Sequence, residues 1–335
     1  MENCKKESKF PSELRLDLVS DDWVVIATGR AKRPETFAEE ERIKDSVLPE
    51  KCPFCQPRIL EKSVLTLNKP DGSWFILSMP NDFPALSKGD SLGEREEGPN
   101  RAMNGIGYHE VIITQDHQRQ MAQFTNEEMR LVVDLYQKRY LDLINREFIK
   151  YVSIFHNHGV EAGASIAHPH SQLIAIPVLD PDLKGSLDGA ENYYQKHKKC
   201  VYCDMIEWDI KDGQRVIYQN DEFIVLSPFA SQVAFEVRVY PKKHQPYFEK
   251  MTEKEKDLFA DALKMALSGI YTKLKDPPYN FYFHTAPGDG QEYKNYHWHL
   301  NILPKTSIPA GFELGAGIEI STIEPEKAAQ FLRGE

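Results

Sequence analysis

Cysteine, positive charge and long apolar runs are all scarce in this sequence, and each scarcity excludes something. The 335 residues contain five cysteines, too few for the disulfide framework of a small secreted domain. Lysine and arginine number 41 against 51 aspartate and glutamate, a formal net charge of −10. That balance argues against a nucleic acid polymer or an anionic membrane as partner, so any phosphate must be held by a few local groups. No apolar run approaches the length of a membrane span, and the opening MENCKKESKF has basic residues without the apolar core of a signal peptide. The expected location is the cytoplasm.

What the chain does contain is size and repetition. At 41% hydrophobic and 27% charged residues, it can bury one large core or two medium ones. Four of the cysteines form two pairs, Cys52-Pro-Phe-Cys55 and Cys200-Val-Tyr-Cys203, with Cys4 left near the start. In a reducing compartment such pairs suit metal knuckles better than disulfides, although a redox dithiol shares the spacing.

The histidines downstream favour metal. After the first pair come a β-rich stretch ending near His117, a Thr125-x-x-Glu128 box opening a helical pattern, FHN at Phe155, and HPH at His168. After the second pair come a β-rich stretch ending at His244, a Thr252-x-x-Glu255 box opening a second helical pattern, FHT at Phe283, and HWH at His297. T-x-x-E boxes satisfy exposed amides at helix starts, and the shared order marks an internal duplication. Each half thus offers a Cys₂His₂ set: Cys52, Cys55, His117 and His168, then Cys200, Cys203, His244 and His297. Such a set suits a closed, structural Zn²⁺.

If His168 binds metal, the purpose of the second histidine in His168-Pro-His170-Ser-Gln172 becomes legible. Read as part of a strand with the following LIAIPV, His168 and His170 share one face, so one imidazole can anchor the segment while the other does chemistry. A neutral His170 is a competent nucleophile toward phosphorus if its other ring N–H is held by a backbone carbonyl. Gln172 supplies an uncharged donor for a phosphoryl oxygen, and Gly163-Ala-Ser165 lets backbone and a small hydroxyl approach a phosphate. The second half reads His297-Trp-His299-Leu-Asn301 without a matching Gly/Ser run, so that copy is expected to be structural only.

With DDWVVIATGRAKRP at Asp21 to Pro34, CPFC, NDFPAL at Asn81 to Leu86, FHN, GASIAHPHSQ, FHTAP and GFELG at Gly311 to Gly315, the chain resembles the galactose-1-phosphate uridylyltransferase branch of the histidine triad superfamily, from about Leu14 to Phe331. The resemblance implies an α+β fold of two fused triad-like halves, antiparallel sheets flanked by helices and merging into one unit. It implies that His170 attacks the α-phosphorus of UDP-glucose and that galactose 1-phosphate then takes the uridylyl group. By the same resemblance Arg30 and Arg33 lie at the nucleotide and phosphates, Asn81 and Asp82 at uracil and ribose, and Phe155 and Asn157 beside the α-phosphate. Ser165 and Gln172 match positions that contact the phosphoryl group. It also implies a homodimer, with Phe312 and Glu313 reaching the neighbouring site.

Two features depart from the best-known members. The second CxxC resembles a subgroup that includes ADP-glucose phosphorylase-like enzymes with an ADP-sugar donor and phosphate as acceptor, and the glutamine expected shortly after Glu313 is missing from GFELGAGIEIS. Glu313 nevertheless suits sugar hydroxyls and would repel a dianion, which favours a hexose phosphate acceptor. The expected division is 1–180, carrying HPHSQ, and 181–335, structural with a C-terminal substrate or dimer segment, joined by a polar connector over 180–199. The 39–51 and 87–105 stretches read as charged surface loops. A zinc-organised binding protein without turnover would use the same clusters but leaves the asymmetry of HPHSQ unexplained. A triad-type hydrolase would carry a third histidine at the place of Gln172.

Overall fold

The two T-x-x-E boxes form as the spacing predicts. Thr125 Oγ1 accepts the Glu128 N–H (3.2 Å) and Glu128 Oε2 accepts the Thr125 N–H (3.0 Å); Thr252 and Glu255 repeat the exchange at 3.3 and 2.7 Å. Each box satisfies amides that the first helical turn leaves open, and each opens a long helix. The computed structural model describes residues 12–27, 29 and 48–335; Cys4, Arg30, Arg33 and most of the 39–51 stretch lie outside these.

In chain order the elements are β1 (Glu13–Leu16), β2 (Trp23–Ile26), β3 (Leu65–Asn68), β4 (Trp74–Pro80), β5 (Arg95–Glu97), β6 (Asn100–Ala102), β7 (Tyr108–Thr114), α1 (Asn126–Ile144), β8 (Tyr151–His158) and β9 (His170–Ile176). Then follow α2 (Pro181–His197), α3 (Val201–Asp212), β10 (Val216–Gln219), β11 (Phe223–Leu226), β12 (Val237–Pro241), α4 (Glu253–Lys273), β13 (Tyr279–His284), β14 (His299–Pro304), α5 (Gly311–Ala316), β15 (Ile320–Ser321) and α6 (Pro325–Arg333). Ten strands form one sheet in the order β10-β11-β12-β14-β13-β8-β9-β7-β4-β3, antiparallel at every contact. Read outward from the β8–β13 contact, both sides repeat one order of parts. The fold is α+β and duplicated, as expected, with the two expected sheets continuous as one.

The strands alternate their side chains between two covered faces, a consequence of the two-residue period. Ile112 of β7 packs with α1 and α4 residues such as Val132, Tyr136, Phe259 and Leu263. Its neighbours Val111 and Ile113 face the other way, into a cluster with Cys52, Phe54 and Leu77. In the second half that opposite face is covered by α2 and α3 through Leu183, Leu187, Val201 and Tyr202 against Leu226 and Tyr240.

Three expectations need correction. The 180–199 connector is a helix, α2: Asp180 caps it by accepting the Asp182 N–H (2.8 Å), and Pro181 sits at its first position, where its missing N–H costs nothing. Burial of Leu183 and Leu187 outweighs the helix-weakening glycines. The 87–105 stretch holds the hairpin of β5 and β6. Finally, FHN and FHT are one residue out of step. Phe155 pairs with Gln172 and Tyr282 with Asn301, and since Gln172 and Asn301 are counterparts, Phe155 corresponds to Tyr282 and Asn157 to His284.

Helix α2 contains its own controlled comparison. A Cβ at Gly189 would sit 1.7 Å from the Val19 carbonyl oxygen, whereas one at Gly185 meets nothing within 4 Å. Gly189→Ala should therefore destabilise by about 1–3 kcal/mol through overpacking. Gly185→Ala should be neutral or stabilise by roughly 0.5–1 kcal/mol. Denaturant melts of the two variants check the contrast; equal effects would contradict the close approach.

Candidate active site and two cysteine–histidine clusters

Each cysteine pair lies on a tight turn that presents both sulfurs to one point. Cys52 precedes, and Cys55 ends, a 3₁₀ turn over Pro53–Cys55. His117 follows β7 by three residues, and His168 lies two residues before β9. Cys55 Sγ is 3.2 Å from His117 Nδ1 and 3.4 Å from His168 Nδ1; Cys52 Sγ is 3.6 Å from His168 Nδ1, and the two imidazole nitrogens are 3.3 Å apart. A tetrahedral ion bound by sulfur at about 2.3 Å and nitrogen at about 2.1 Å spaces its donors roughly 3.3–3.8 Å apart, so these four could hold a metal ion.

The second cluster repeats this design. Cys200 immediately precedes α3, Cys203 lies in its first turn, and Cys203 Sγ stands 3.4 Å from His244 Nδ1 and 3.7 Å from His297 Nδ1. All ligand atoms of each set lie within 4.8 Å of one another. The outer hydrogen bonds repeat as well: His168 Nε2–H donates to the Thr114 carbonyl (2.8 Å) and His297 Nε2–H to that of Pro241 (2.8 Å), the last residues of β7 and β12. His244 Nε2–H donates to the Lys294 carbonyl (2.7 Å). Such contacts fix the tautomer and leave Nδ1 for a metal. Burial lowers the His168 pKa to about 4, keeping the ring neutral, as metal binding requires. Burial and the neighbouring Cys52 push the Cys55 thiol up to about 11, so that sulfur keeps its proton until a cation displaces it.

His170 begins β9, two residues beyond the cluster. The strand does not include His168, because the segment turns there to carry that ring to the cysteines. Both rings still lie against Phe54, with centroids 5.7 Å (His168) and 5.2 Å (His170) away. His170 Nδ1–H donates to the His168 carbonyl (2.9 Å), so Nε2 carries the lone pair. Burial moves the His170 pKa down, which further favours the neutral ring. The same bond recurs between His299 Nδ1 and the His297 carbonyl (3.1 Å), but there His284 stacks on His299 at 5.0 Å, at the position that Asn157 holds in the first half.

The other expected site residues gather around His170 only in part. Gln172 lies on β9 with its Oε1 2.8 Å from His109 Nε2, and Phe155 stands directly across from it on β8. Asn157 Oδ1 accepts from Asn280 Nδ2 (2.8 Å). Gly163 takes the left-handed conformation (φ 85°), and Ser165 is exposed on the loop that follows. Asn81 holds its own turn by accepting the Phe83 N–H (2.9 Å), and Asp82 pairs with Lys62 (2.8 Å). Phe312 and Glu313 are on α5; Glu313 Oε2 accepts the Ala310 N–H (3.0 Å), capping its own helix. Sequence reasoning missed His109 and Asn280. For His109 a signal existed, since it shares the face of Val111 and Ile113 on β7; Asn280 lies in the other half, and nothing in the sequence points to it.

Comparisons give this geometry a class and a family. Residues 3–179 match the galactose-1-phosphate uridyl transferase N-terminal domain, and residues 101–332 match a domain of unknown function (DUF4921). The chain is 33% identical to ADP-glucose phosphorylase of Arabidopsis thaliana, covering 98% of this chain and 93% of that one. It is 30% identical to galactose-1-phosphate uridylyltransferase of Thermotoga maritima, covering 96% and 98%. The crystal structure of an ADP-glucose phosphorylase from Arabidopsis thaliana with bound ADP-glucose superposes with a TM-score of 0.82 at 30% identity, over 97% of this chain and 99% of that one. The chain is therefore an enzyme of the nucleotidyltransferase kind. It belongs to the galactose-1-phosphate uridylyltransferase family.

The hydrogen bond to the His168 carbonyl predicts the tautomer of His170. Ring ¹⁵N spectra of histidine-labelled protein, assigned with His170→Gln, should show His170 protonated at Nδ1 and bare at Nε2. The reverse tautomer would contradict the geometry.

Proposed function

We propose that His170 is the nucleophile of a two-step nucleotidyl transfer. The observation that carries this reading is the bare Nε2 of His170, directed by the bond from Nδ1 to the His168 carbonyl. Nε2 attacks the α-phosphorus of a nucleoside diphosphate sugar, the bond to the bridging oxygen breaks, and the sugar 1-phosphate leaves. A phosphate-bearing acceptor then attacks the nucleotidyl-histidine and restores the free ring. Gln172, Asn157 and Ser165 donate to phosphoryl oxygens as charge shifts between them, and Gly163 lets the loop approach. Arg30 and Arg33 meet the phosphates, Asn81 and Asp82 the base and ribose, with Asp82 exchanging Lys62 for a ribose hydroxyl, and Phe155 packs beside the reacting group.

The donor we favour is ADP-glucose, with inorganic phosphate as acceptor and ADP and glucose 1-phosphate as products. Similarity to the ADP-glucose phosphorylase supports it, as does Glu313, which is occupied in capping α5. A second reading, transfer of UMP from UDP-glucose to galactose 1-phosphate, is supported by the family match over residues 3–179 and the Thermotoga maritima relative. In both, residues 1–180 carry the chemistry and 181–335 the structural half. Exposed Phe312 and Leu314 suit contact with a second copy of the chain in a homodimer, and the described cysteines, none of them in a disulfide, suit the cytoplasm. Among the described residues no helix is long and apolar enough to cross a membrane.

Both clusters we assign to structural Zn²⁺, since all four donors belong to the protein and no position is left for substrate. Such an ion would tie the Cys52 turn to the segment before β9, while the chain's own residues do the chemistry.

Incubation with nucleotide-labelled ADP-glucose should leave an acid-labile, base-stable adduct that is absent from His170→Gly. Labelled glucose 1-phosphate should exchange into ADP-glucose faster than into UDP-glucose. Exchange confined to UDP-glucose would reverse the donor assignment, and no adduct from either would end the transfer reading.

Metal analysis separates the two histidines. His168→Ala should lose one zinc and melt earlier, whereas His170→Ala should keep two zincs per chain while turnover falls by more than about 10⁴-fold. Two zincs retained in His168→Ala would break the assignment.

A further inference from the structure

Gln172 and Asn157 are primary amides, and an amide free to rotate presents its carbonyl to a phosphate as readily as its NH₂. Here both carbonyl oxygens are already engaged. His109 Nδ1 accepts the Ala85 N–H (3.1 Å), so the ring proton is on Nε2 and goes to Gln172 Oε1, 2.8 Å away. Asn81 Nδ2 lies 3.1 Å from the same ring nitrogen; as a second donor it cannot take that proton, which leaves Gln172 Oε1 as its acceptor. Asn280 Nδ2 donates to Asn157 Oδ1 (2.8 Å) and also to the Ala162 carbonyl (2.8 Å), a group that only accepts. A backbone N–H thus fixes one side chain and a backbone carbonyl the other. The nearest atom to a Cβ built on Gly163 is Asn157 Nδ2, at 4.0 Å, so the free NH₂ of Asn157 faces that loop.

We propose that His109 and Asn280 are positioning residues that lock Gln172 and Asn157 with their NH₂ groups toward the α-phosphate. This rests on the transfer chemistry proposed above. The lock is no requirement of the duplicated fold. The counterpart of His109 is Glu236, just before β12, paired with Arg238 (2.8 Å), and among the described residues the counterpart of Gln172, Asn301, has a buried Oδ1 without a hydrogen-bond partner. Among the described residues the paired-amide arrangement occurs only in the half to which the chemistry is assigned. Asn280 belongs to β13, so the second half contributes a group to the first half's site.

The test is a double-mutant cycle on single-turnover nucleotidylation from ADP-glucose or UDP-glucose, whichever labels the wild type. His109→Phe should slow the step by about tenfold or more, less than the roughly 10²- to 10³-fold loss expected for deleting a donor outright, while nucleotide-sugar affinity stays within about threefold. His109→Gln, which can place a donor near the site of Nε2, should recover most of the rate. In a Gln172→Ala background His109→Phe should add nothing. The near-isosteric Asn280→Asp should behave likewise on Asn157→Ala, with zinc content and melting temperature reporting whether each variant folds. An adduct in the wild type combined with additive losses, or failure of His109→Gln to recover the rate, overturns this inference alone. No adduct from either nucleotide sugar overturns the transfer reading and this inference with it.

Discussion

His168 couples the two halves of the site's chemistry within one residue. Its Nδ1 lies among the cysteines, its Nε2 is tied to the end of β7, and its carbonyl accepts the Nδ1–H of His170. The group that fixes the tautomer of the candidate nucleophile is therefore held by the same residue that joins the cluster. A shift of this segment moves both together. Electrostatic preorganisation depends on donors and nucleophile being placed before the substrate arrives, and here the placement passes through one peptide unit.

The sheet around it explains how the halves came to differ. Strand pairing and the outer bonds of both clusters repeat closely, from the capping boxes to the carbonyls of Thr114 and Pro241. The differences lie on the face of the sheet opposite α1 and α4. In the second half α2 and α3 cover that face and His284 stacks on His299, so the imidazole matching His170 has a ring in front of it. Burial there lowers the pKa of His284 to about 4 and that of His299 well below the usual imidazole range. A duplicated scaffold thus carries two buried histidines at matching positions, of which the second has another imidazole stacked on it.

Much of this was legible in the sequence because it depends on short-range rules. The cysteine spacing, the T-x-x-E boxes and the i, i+2 histidines each act within a few residues, so their chemistry is visible in order of occurrence. Motif resemblance failed where register matters. FHN and FHT look equivalent, yet strand pairing sets them one residue apart, and in a strand one residue reverses the face. The segment 180–199 looked like a connector because Gly185, Gly189 and many polar residues weaken a helix. Packing of Leu183 and Leu187 against the β1–β2 turn, where Gly189 admits the Val19 carbonyl, decided otherwise.

By itself the sequence determined the duplication, both Cys₂His₂ sets, the helix starts and the grouping of His168 with the cysteines, since these are properties of residue type and local spacing. Only the tertiary structure decided that the halves share one ten-stranded sheet, that His109 and Asn280 stand behind the amides of Gln172 and Asn157, and that His284 stacks on the second copy's histidine. Those outcomes depend on which strands become neighbours and in what register. Such neighbours are set by burial on both faces of the sheet at once, and they are far apart along the chain.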